Sequence, residues 1–263
     1  MKASRISIII PAYNEEKRIG RTLKAYKEFF EDLSKRKVID YKILVVINNT
    51  KDKTEEIVKK FVSKKITYLN LKEGGKGLAI IAGFKEEVKE NKSDLIGFVD
   101  ADMSTSPEAF FDLIKNIKDY DGIIASRYVK GAKVFPKQPL KRILISRFGN
   151  FMINSLFFLN LKDTQCGAKV FRKKAVENIL EELKLTQWAF DVNLLYILKK
   201  KGFKVKEFPT VWKDAPDSTL KIKEASIKAF LSVVRLRVIY SPLKKILKPF
   251  KVVETFIWKV MEK

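Results

Sequence analysis

The chain has 263 residues, enough for one large domain or for one domain with a modest appendage. The absence of histidine, together with a single cysteine, excludes imidazole acid–base chemistry, Ser-His and Cys-His nucleophile pairs, histidine zinc sites and an internal disulfide. A formal charge of +23 points to anionic partners, whether nucleic acid, a membrane surface or phosphorylated small molecules, and the 46% apolar content is that of an ordinary globular core.

The first apolar run, SIII, is short and is followed by Pro11 and by acids, so it reads as a strand rather than a signal peptide. Strands are expected at Arg5–Pro11, Lys42–Ile47, Ile66–Asn70, Leu95–Val99 and Gly122–Ser126. Between them Arg21–Leu33, Thr54–Val62 and Leu78–Lys89 carry apolar residues at helical spacing. Such alternation predicts an α/β fold, a mostly parallel sheet covered by helices on both faces. Ligands of such sheets bind at the carboxyl ends of strands, where Ala12–Glu16, Asn48–Thr54 and Asp100–Ser106 fall. Further on, Leu140–Leu161 is apolar and basic, and Asp163–Phe171 is a turn followed by a short strand. Gln187–Lys200 reads as an amphipathic helix and Phe203–Trp212 as another strand. From Lys221 to Lys263 the chain is helical and basic, with eleven Lys/Arg against three Glu, interrupted by Pro242 and Pro249. No uncharged apolar run approaches the roughly 20 residues that a membrane-spanning helix needs.

With imidazole excluded, chemistry falls to carboxylates, Lys, Arg and a hard metal. Asp100 and Asp102 stand two apart just past an apolar strand, so an extended backbone points both carboxylates to one side. A hard cation, Mg²⁺ or Mn²⁺, takes oxygen ligands and bridges carboxylates to substrate phosphates. The plainer alternative is a solvated turn capping the helix that begins at Pro107. After the first strand, Pro11 turns the chain and Tyr13 offers a face for stacking on a base. Glu15 and Glu16 either join that site or simply favour the start of the next helix. Gly74-Gly75-Lys76-Gly77 opens a helix, where backbone N–H groups and Lys76 make a phosphate seat or, equally, a plain helix start.

Taken in order, SIIIPAYNEE, GGKGLA, FVDADMSTSP, ASRYVKG, DTQCGAKVFRKKA and WAFDVNLLY resemble the family 2 glycosyltransferases with the GT-A fold. Within them the likeness is to the polyprenyl-phosphate sugar synthases, especially the dolichyl-phosphate glucosyltransferases, and it runs over roughly residues 5–240. The resemblance implies a Rossmann-like GT-A catalytic domain at 1–220, with a nucleotide-sugar half to about 125 and an acceptor half from about 126. A basic amphipathic helical segment at 221–263 follows. It also implies inverting transfer of a hexose from a UDP- or GDP-sugar to a polyprenyl (dolichyl) phosphate. Nucleotide contacts are implied at Pro11, Tyr13 and Glu15, and metal contact through Asp102 with Asp100 and, more weakly, Ser104. Asn48 aligns with the acid that usually reads the base. An amide can still hydrogen-bond a base edge, which leaves uridine and guanosine both open. Asn193 stands where relatives frequently carry Glu after Phe-Asp-Val.

A phosphate monoester, with its second pKa at about 6, is already largely dianionic at neutral pH and needs cationic positioning more than a base. Arg127, Arg142 and Arg147 are the candidates, because a guanidinium fork binds phosphate oxygens in pairs. Asp163 and Asp191 are further catalytic candidates; each would orient an arginine or a sugar hydroxyl, or act as base for another acceptor. Lys169 or Arg172 would partner Asp191. Basic amphipathic helices bearing Phe and Trp lie in a membrane interface, which suits Pro242–Lys263. The expectation is therefore a peripheral enzyme on the cytoplasmic face of an anionic membrane, without nucleic acid as partner. The alternatives are a family 2 enzyme with a glycan or soluble acceptor, a nucleotidyltransferase whose glycine- and lysine-rich signature is missing, and a basic nucleic-acid-binding protein lacking any recognised motif.

Overall fold

The computed structural model describes residues 4–183, 188–213 and 222–241, with side chains from 228 onward in the last stretch and without that of Lys141. Strands and helices alternate through the first half: β1 (Arg5–Ala12), α1 (Ile19–Lys35), β2 (Asp40–Asn48), α2 (Thr54–Lys59), β3 (Ile66–Leu71), α3 (Lys76–Glu90), β4 (Leu95–Phe98), α4 (Pro107–Asn116) and β5 (Gly122–Ser126). The second half holds β6 (Lys133–Phe135), α5 (Leu140–Phe157), β7 (Lys169–Arg172), α6 (Lys173–Ile179), α7 (Phe190–Lys200), β8 (Val205–Pro209), β9 (Val211–Lys213) and α8 (Ile222–Ile239).

β1 and β2 are almost wholly buried, which is why their sequences are continuous apolar runs rather than alternating ones. Successive residues nevertheless serve opposite faces. Ile8 and Ile10 pack with Leu23, Tyr26 and Phe30 of α1 and Phe110 of α4, whereas Ile9 packs with Ile80 and Phe84 of α3. The two cores so formed sandwich a seven-stranded sheet of order β3-β2-β1-β4-β7-β5-β8. Only β7 runs antiparallel to its neighbours. From β1 the chain winds outward through β2 and β3, then returns to place β4 on the other flank of β1. The order reverses there, so the crevice beyond the carboxyl ends of β1 and β4 is the topological switch point at which such sheets bind ligands.

The expected strand Phe203–Trp212 is two strands. β8 pairs with β5 as far as Pro209, opposite Ser126, and β9 then leaves to pair with β6 in a separate two-stranded sheet. Pro209 has no N–H to extend the ladder, which favours the change of partner. The described part of Gln187–Lys200 is helical from Phe190, and α8 realises the helix expected after Lys221. Pro242–Lys263 lies outside the described residues, as does the C-terminal docking expected of it. Among the described residues no helix is long and apolar enough to cross a membrane.

Candidate active site

The loop after β1 is stitched to the loop after β2. The Asn14 side chain accepts from Lys51 N at 3.0 Å, Glu15 N donates to Thr54 Oγ1 at 2.7 Å, and Glu16 N donates to Asp52 Oδ2 at 3.0 Å. Pro11 and Ala12 finish the buried strand, and Tyr13 then emerges 53% exposed, its ring available for stacking. Glu15 grips Arg18 with both carboxylate oxygens, at 2.7 and 2.8 Å. Burial pushes its carboxyl above the usual glutamate value, with the charges of Asp102 and Asp100 adding to the rise and Arg18 opposing it.

Asn48 is buried at the end of β2 and both ends of its amide are engaged. Nδ2 donates to Ala12 O at 3.1 Å, and Oδ1 accepts from Gly75 N at 3.0 Å. It thus ties β1 to the corner that opens α3, where Gly75 adopts φ 136°, a conformation open to glycine and strained for other residues. The base-reading role expected of Asn48 therefore has a structural competitor: the side chain joins two backbones.

At the end of β4 the two acids differ. Asp100 pairs with Lys76 Nζ at 2.5 Å and packs on Gly167, where an added Cβ would lie 1.8 Å from Asp100 Oδ2. Burial raises the Asp100 carboxyl above the ordinary aspartate value; Lys76 pulls against it, while Asp102 and Asp191 push further upward. Burial likewise opposes the charge on Lys76, but the charges of Asp100, Asp191 and Asp102 outweigh it and hold the ammonium above its usual range. Asp102 accepts from Ser104 N at 2.9 Å. The helix-capping alternative for these acids fails, because Ser106 caps α4 through its own hydroxyl, accepting from Ala109 N at 3.3 Å. Ser104 is buried, and its carbonyl accepts from Lys213 N of β9 at 2.9 Å. Among the described residues no group of three or more acidic, Cys or His side chains surrounds a common point. A hard cation at Asp100 and Asp102 would therefore draw its remaining oxygens from substrate and water, which is how Mg²⁺ is commonly held at diphosphates.

On the other flank the acids are paired. Asp163 receives Arg127 N at 2.9 Å, Nε at 2.8 Å and Nη2 at 2.9 Å. The guanidinium lies 5.1 Å from the Trp212 ring centre and 5.5 Å from that of Tyr128. Burial opposes the charge on Arg127, and the bonds to Asp163 more than offset it. Asp163 N in turn donates to Glu207 at 2.8 Å. Asp191, on the first turn of α7, is joined at 2.6 Å by Lys169, which has no exposed surface, also donates to Cys166 O at 2.6 Å and lies 5.4 Å from the Phe98 ring centre. Arg172 is not the partner of Asp191; it donates to the carbonyls of Tyr120 and Lys118 instead. Cys166 is a buried thiol pushed up to about 12 by burial, no nucleophile. Arg147 stacks over Tyr128 at 5.3 Å, and Arg142 is half-buried in the first turn of α5.

The structure therefore gathers Asp100, Asp102, Lys76 and Asp191 around the switch point, with Arg127 and Asp163 along the β5 side. Asn193 is not among them, since its amide accepts from Tyr240 of the C-terminal region at 2.9 Å. Gly167 and Glu207 carry no local signal in the sequence. Lys169 had a signal, a lone lysine inside the apolar run Cys166–Phe171; Trp212 had none beyond its residue type.

The family model of glycosyl transferase family 2 matches residues 7–180. A dolichyl-phosphate beta-glucosyltransferase of Trichomonas vaginalis is 32% identical over 245 residues, covering 89% of this chain and 71% of the relative. One of Dictyostelium discoideum is 31% identical over 248 residues, covering 89% and 74%. Human dolichyl-phosphate beta-glucosyltransferase is 28% identical over 230 residues, covering 82% and 69%. Among solved structures, glucosyl-3-phosphoglycerate synthase of Mycobacterium tuberculosis, crystallised with Mn²⁺, UDP and phosphoglyceric acid, superposes with a TM-score of 0.62 at 13% identity, covering 89% of this chain and 78% of that one. Mannosyl-3-phosphoglycerate synthase of Rubrobacter xylanophilus gives 0.62 at 16% identity, covering 89% and 74%. These likenesses establish the GT-A fold, and with the family match over most of the sheet they establish the family: the chain belongs to glycosyl transferase family 2 and is a glycosyltransferase.

Proposed function

We propose that this enzyme moves glucose from a nucleoside-diphosphate sugar to the phosphate of dolichol or a related polyprenol, inverting the anomeric centre. The observation that supports this most directly is the likeness to dolichyl-phosphate beta-glucosyltransferases over 89% of the chain at 31–32% identity. The site's charge layout agrees with it. An acceptor phosphate attacks the anomeric carbon as its bond to the diphosphate breaks, so two anions must approach one centre, and the acceptor needs no proton removed. Mg²⁺ or Mn²⁺, held by Asp102 and Asp100 with Ser104 beside them, would neutralise the charge developing on the departing diphosphate.

Tyr13, Pro11 and Glu15 border the nucleotide, and Lys76 at the start of α3 faces the diphosphate. Arg127, supported by Arg142 and Arg147, orients the acceptor phosphate. Asp163 and Asp191 are positioning residues in this reading rather than bases, because each carboxylate is already held by a buried cation. The enzyme works as a peripheral protein on the cytoplasmic face of an anionic membrane. The test is to incubate the protein and Mn²⁺ with UDP- and GDP-sugars and a short polyprenyl phosphate. A glucosyl lipid formed from one nucleotide sugar is expected. Transfer only to a soluble glycan, with polyprenyl phosphate ignored, would overturn the proposal.

A further inference from the structure

Helix α5 is apolar on two faces and covered on one. Its inner face buries Ile153 and Phe157 and is bonded to the site's surroundings. Tyr128 Oη donates to Ser146 at 2.8 Å, Thr164 Oγ1 donates to Asn150 Oδ1 at 2.9 Å, and Asn150 and Asn154 both donate to Leu161 O, at 2.7 and 2.6 Å. The outer face carries Leu140, Leu144, Phe148 and Phe151, exposed by 78%, 69%, 65% and 67%, and Phe158 just past the helix is 67% exposed. Steps of four, four and three residues align the first four along one line of a helix. A helix apolar all round is ordinarily buried all round, so a stripe of this size marks a surface awaiting a partner. The adjoining α8 leaves Phe230 and Val234, four residues apart, 44% and 37% exposed.

The charge around the stripe selects the partner. From Tyr128 through Lys162 inclusive the chain has seven Lys/Arg and no Asp or Glu. Two copies meeting through this face about a twofold axis would set those cations against their own kind. An anionic bilayer instead offers phosphates to the cations and acyl chains to the stripe. We infer that the Leu140–Leu144–Phe148–Phe151 face of α5 docks on an anionic lipid bilayer. The inference deepens the lipid-acceptor reading and rests on it, since α5 reaches Arg127 through Tyr128 and would set that arginine toward a membrane-borne phosphate.

The experiment uses the full chain and vesicles of phosphatidylcholine with and without phosphatidylserine. Wild type should float with the anionic vesicles, and F148E/F151E should lose about tenfold or more of that partitioning while keeping its circular dichroism spectrum and melting temperature. Val62→Glu, a charge placed on an exposed valine of another surface, should bind as wild type does. F148E/F151E should still glycosylate a short water-soluble polyprenyl phosphate and fail on a long-chain one in vesicles. Unchanged flotation of F148E/F151E overturns the docking surface. So does a wild type that ignores vesicles and sediments as a dimer which F148E/F151E dissolves. A wild type that floats through this face yet transfers to no polyprenyl phosphate leaves the surface standing and sinks the proposed acceptor.

Discussion

The two flanks of the site arrange their charges in opposite ways. On the β4 flank Lys76 balances Asp100, and Asp102 remains as an acid whose bond is to a backbone N–H. On the β5 and β7 side Asp163 is gripped by Arg127 and Asp191 by Lys169, through cations with 14% and 0% exposed side chains. The β4 flank sets two acids, Asp100 and Asp102, against Lys76, and in the proposed reaction a cation arriving with the donor completes it. The other has its cations built in and fixed. In the proposed reaction a departing diphosphate must be released each turnover, so an exchangeable ion would suit it, whereas an acceptor phosphate would need only to be aimed.

The comparison breaks first at Asp102. Asp102→Asn should lower transfer by about two to three orders of magnitude, the scale for removing one preorganised electrostatic contact, with unchanged folding. Near-normal turnover in Mn²⁺ would mean that the negative flank is not the metal seat. Next comes Arg127→Met, which strands the Asp163 carboxylate, 2% exposed, and should cost about 3–5 kcal/mol in urea unfolding. Adding Asp163→Asn should restore part of that loss, whereas a single-variant cost below about 1 kcal/mol would show the pair to be dispensable. Asn48→Asp sharpens the donor flank: the Ala12 carbonyl loses its donor and faces a carboxylate, for about 1–3 kcal/mol of stability. Equal stability would free Asn48 for the base.

The smallest effect belongs to a control at the amino end of the sheet, where Lys42 bonds Glu90 at 2.6 Å and Glu87 at 2.8 Å. Hydrogen bonding to Lys42 lowers the Glu90 carboxyl from its ordinary 4.5 against the effect of burial. Its stabilisation is therefore present above that pH and fades as pH falls through the depressed value. Burial opposes the charge on Lys42, but Glu87 and Glu90 raise it above the ordinary 10.5, so that contribution is complete below 10.5 and fades above it. Glu90→Gln should change the acid limb of the stability profile by less than about 1 kcal/mol, because Glu90 is partly solvated and Lys42 keeps its bond to Glu87, and should leave the pH profile of transfer alone. A shifted transfer profile would tie this distant pair to the site.

Much of this layout is legible in the sequence because it is local. The run from Arg5 to Pro11, the acids two apart at Asp100 and Asp102, and Gly75 before Lys76 each signal through neighbours within a few positions. The pairings that define the β5 and β7 side are not local. Arg127 and Asp163 are 36 residues apart, and Lys169 and Asp191 are 22 apart, so no spacing rule could choose Lys169 over Arg172. The same limit hid the split of Phe203–Trp212, which depends on β6 offering an edge to β9. The same limit holds for Asn48: the resemblance implies a role at the base edge, while its bonds to the backbone of Ala12 and Gly75, 36 and 27 positions away, show only in the fold.

Gly167 carries a consequence for reading relatives of this enzyme. The turn from Asp163 to Lys169 presses its backbone against Asp100, and a single methyl group at 167 would stand 1.8 Å from a carboxylate oxygen. The close approach of this turn to Asp100 thus depends on a side chain that is missing. A homologous sequence with both aspartates intact but any larger residue at this position would keep the acids while placing the Asp100 carboxylate elsewhere. Position 167 is accordingly a place to look in relatives that keep both aspartates: a larger residue there has to move the Asp100 carboxylate.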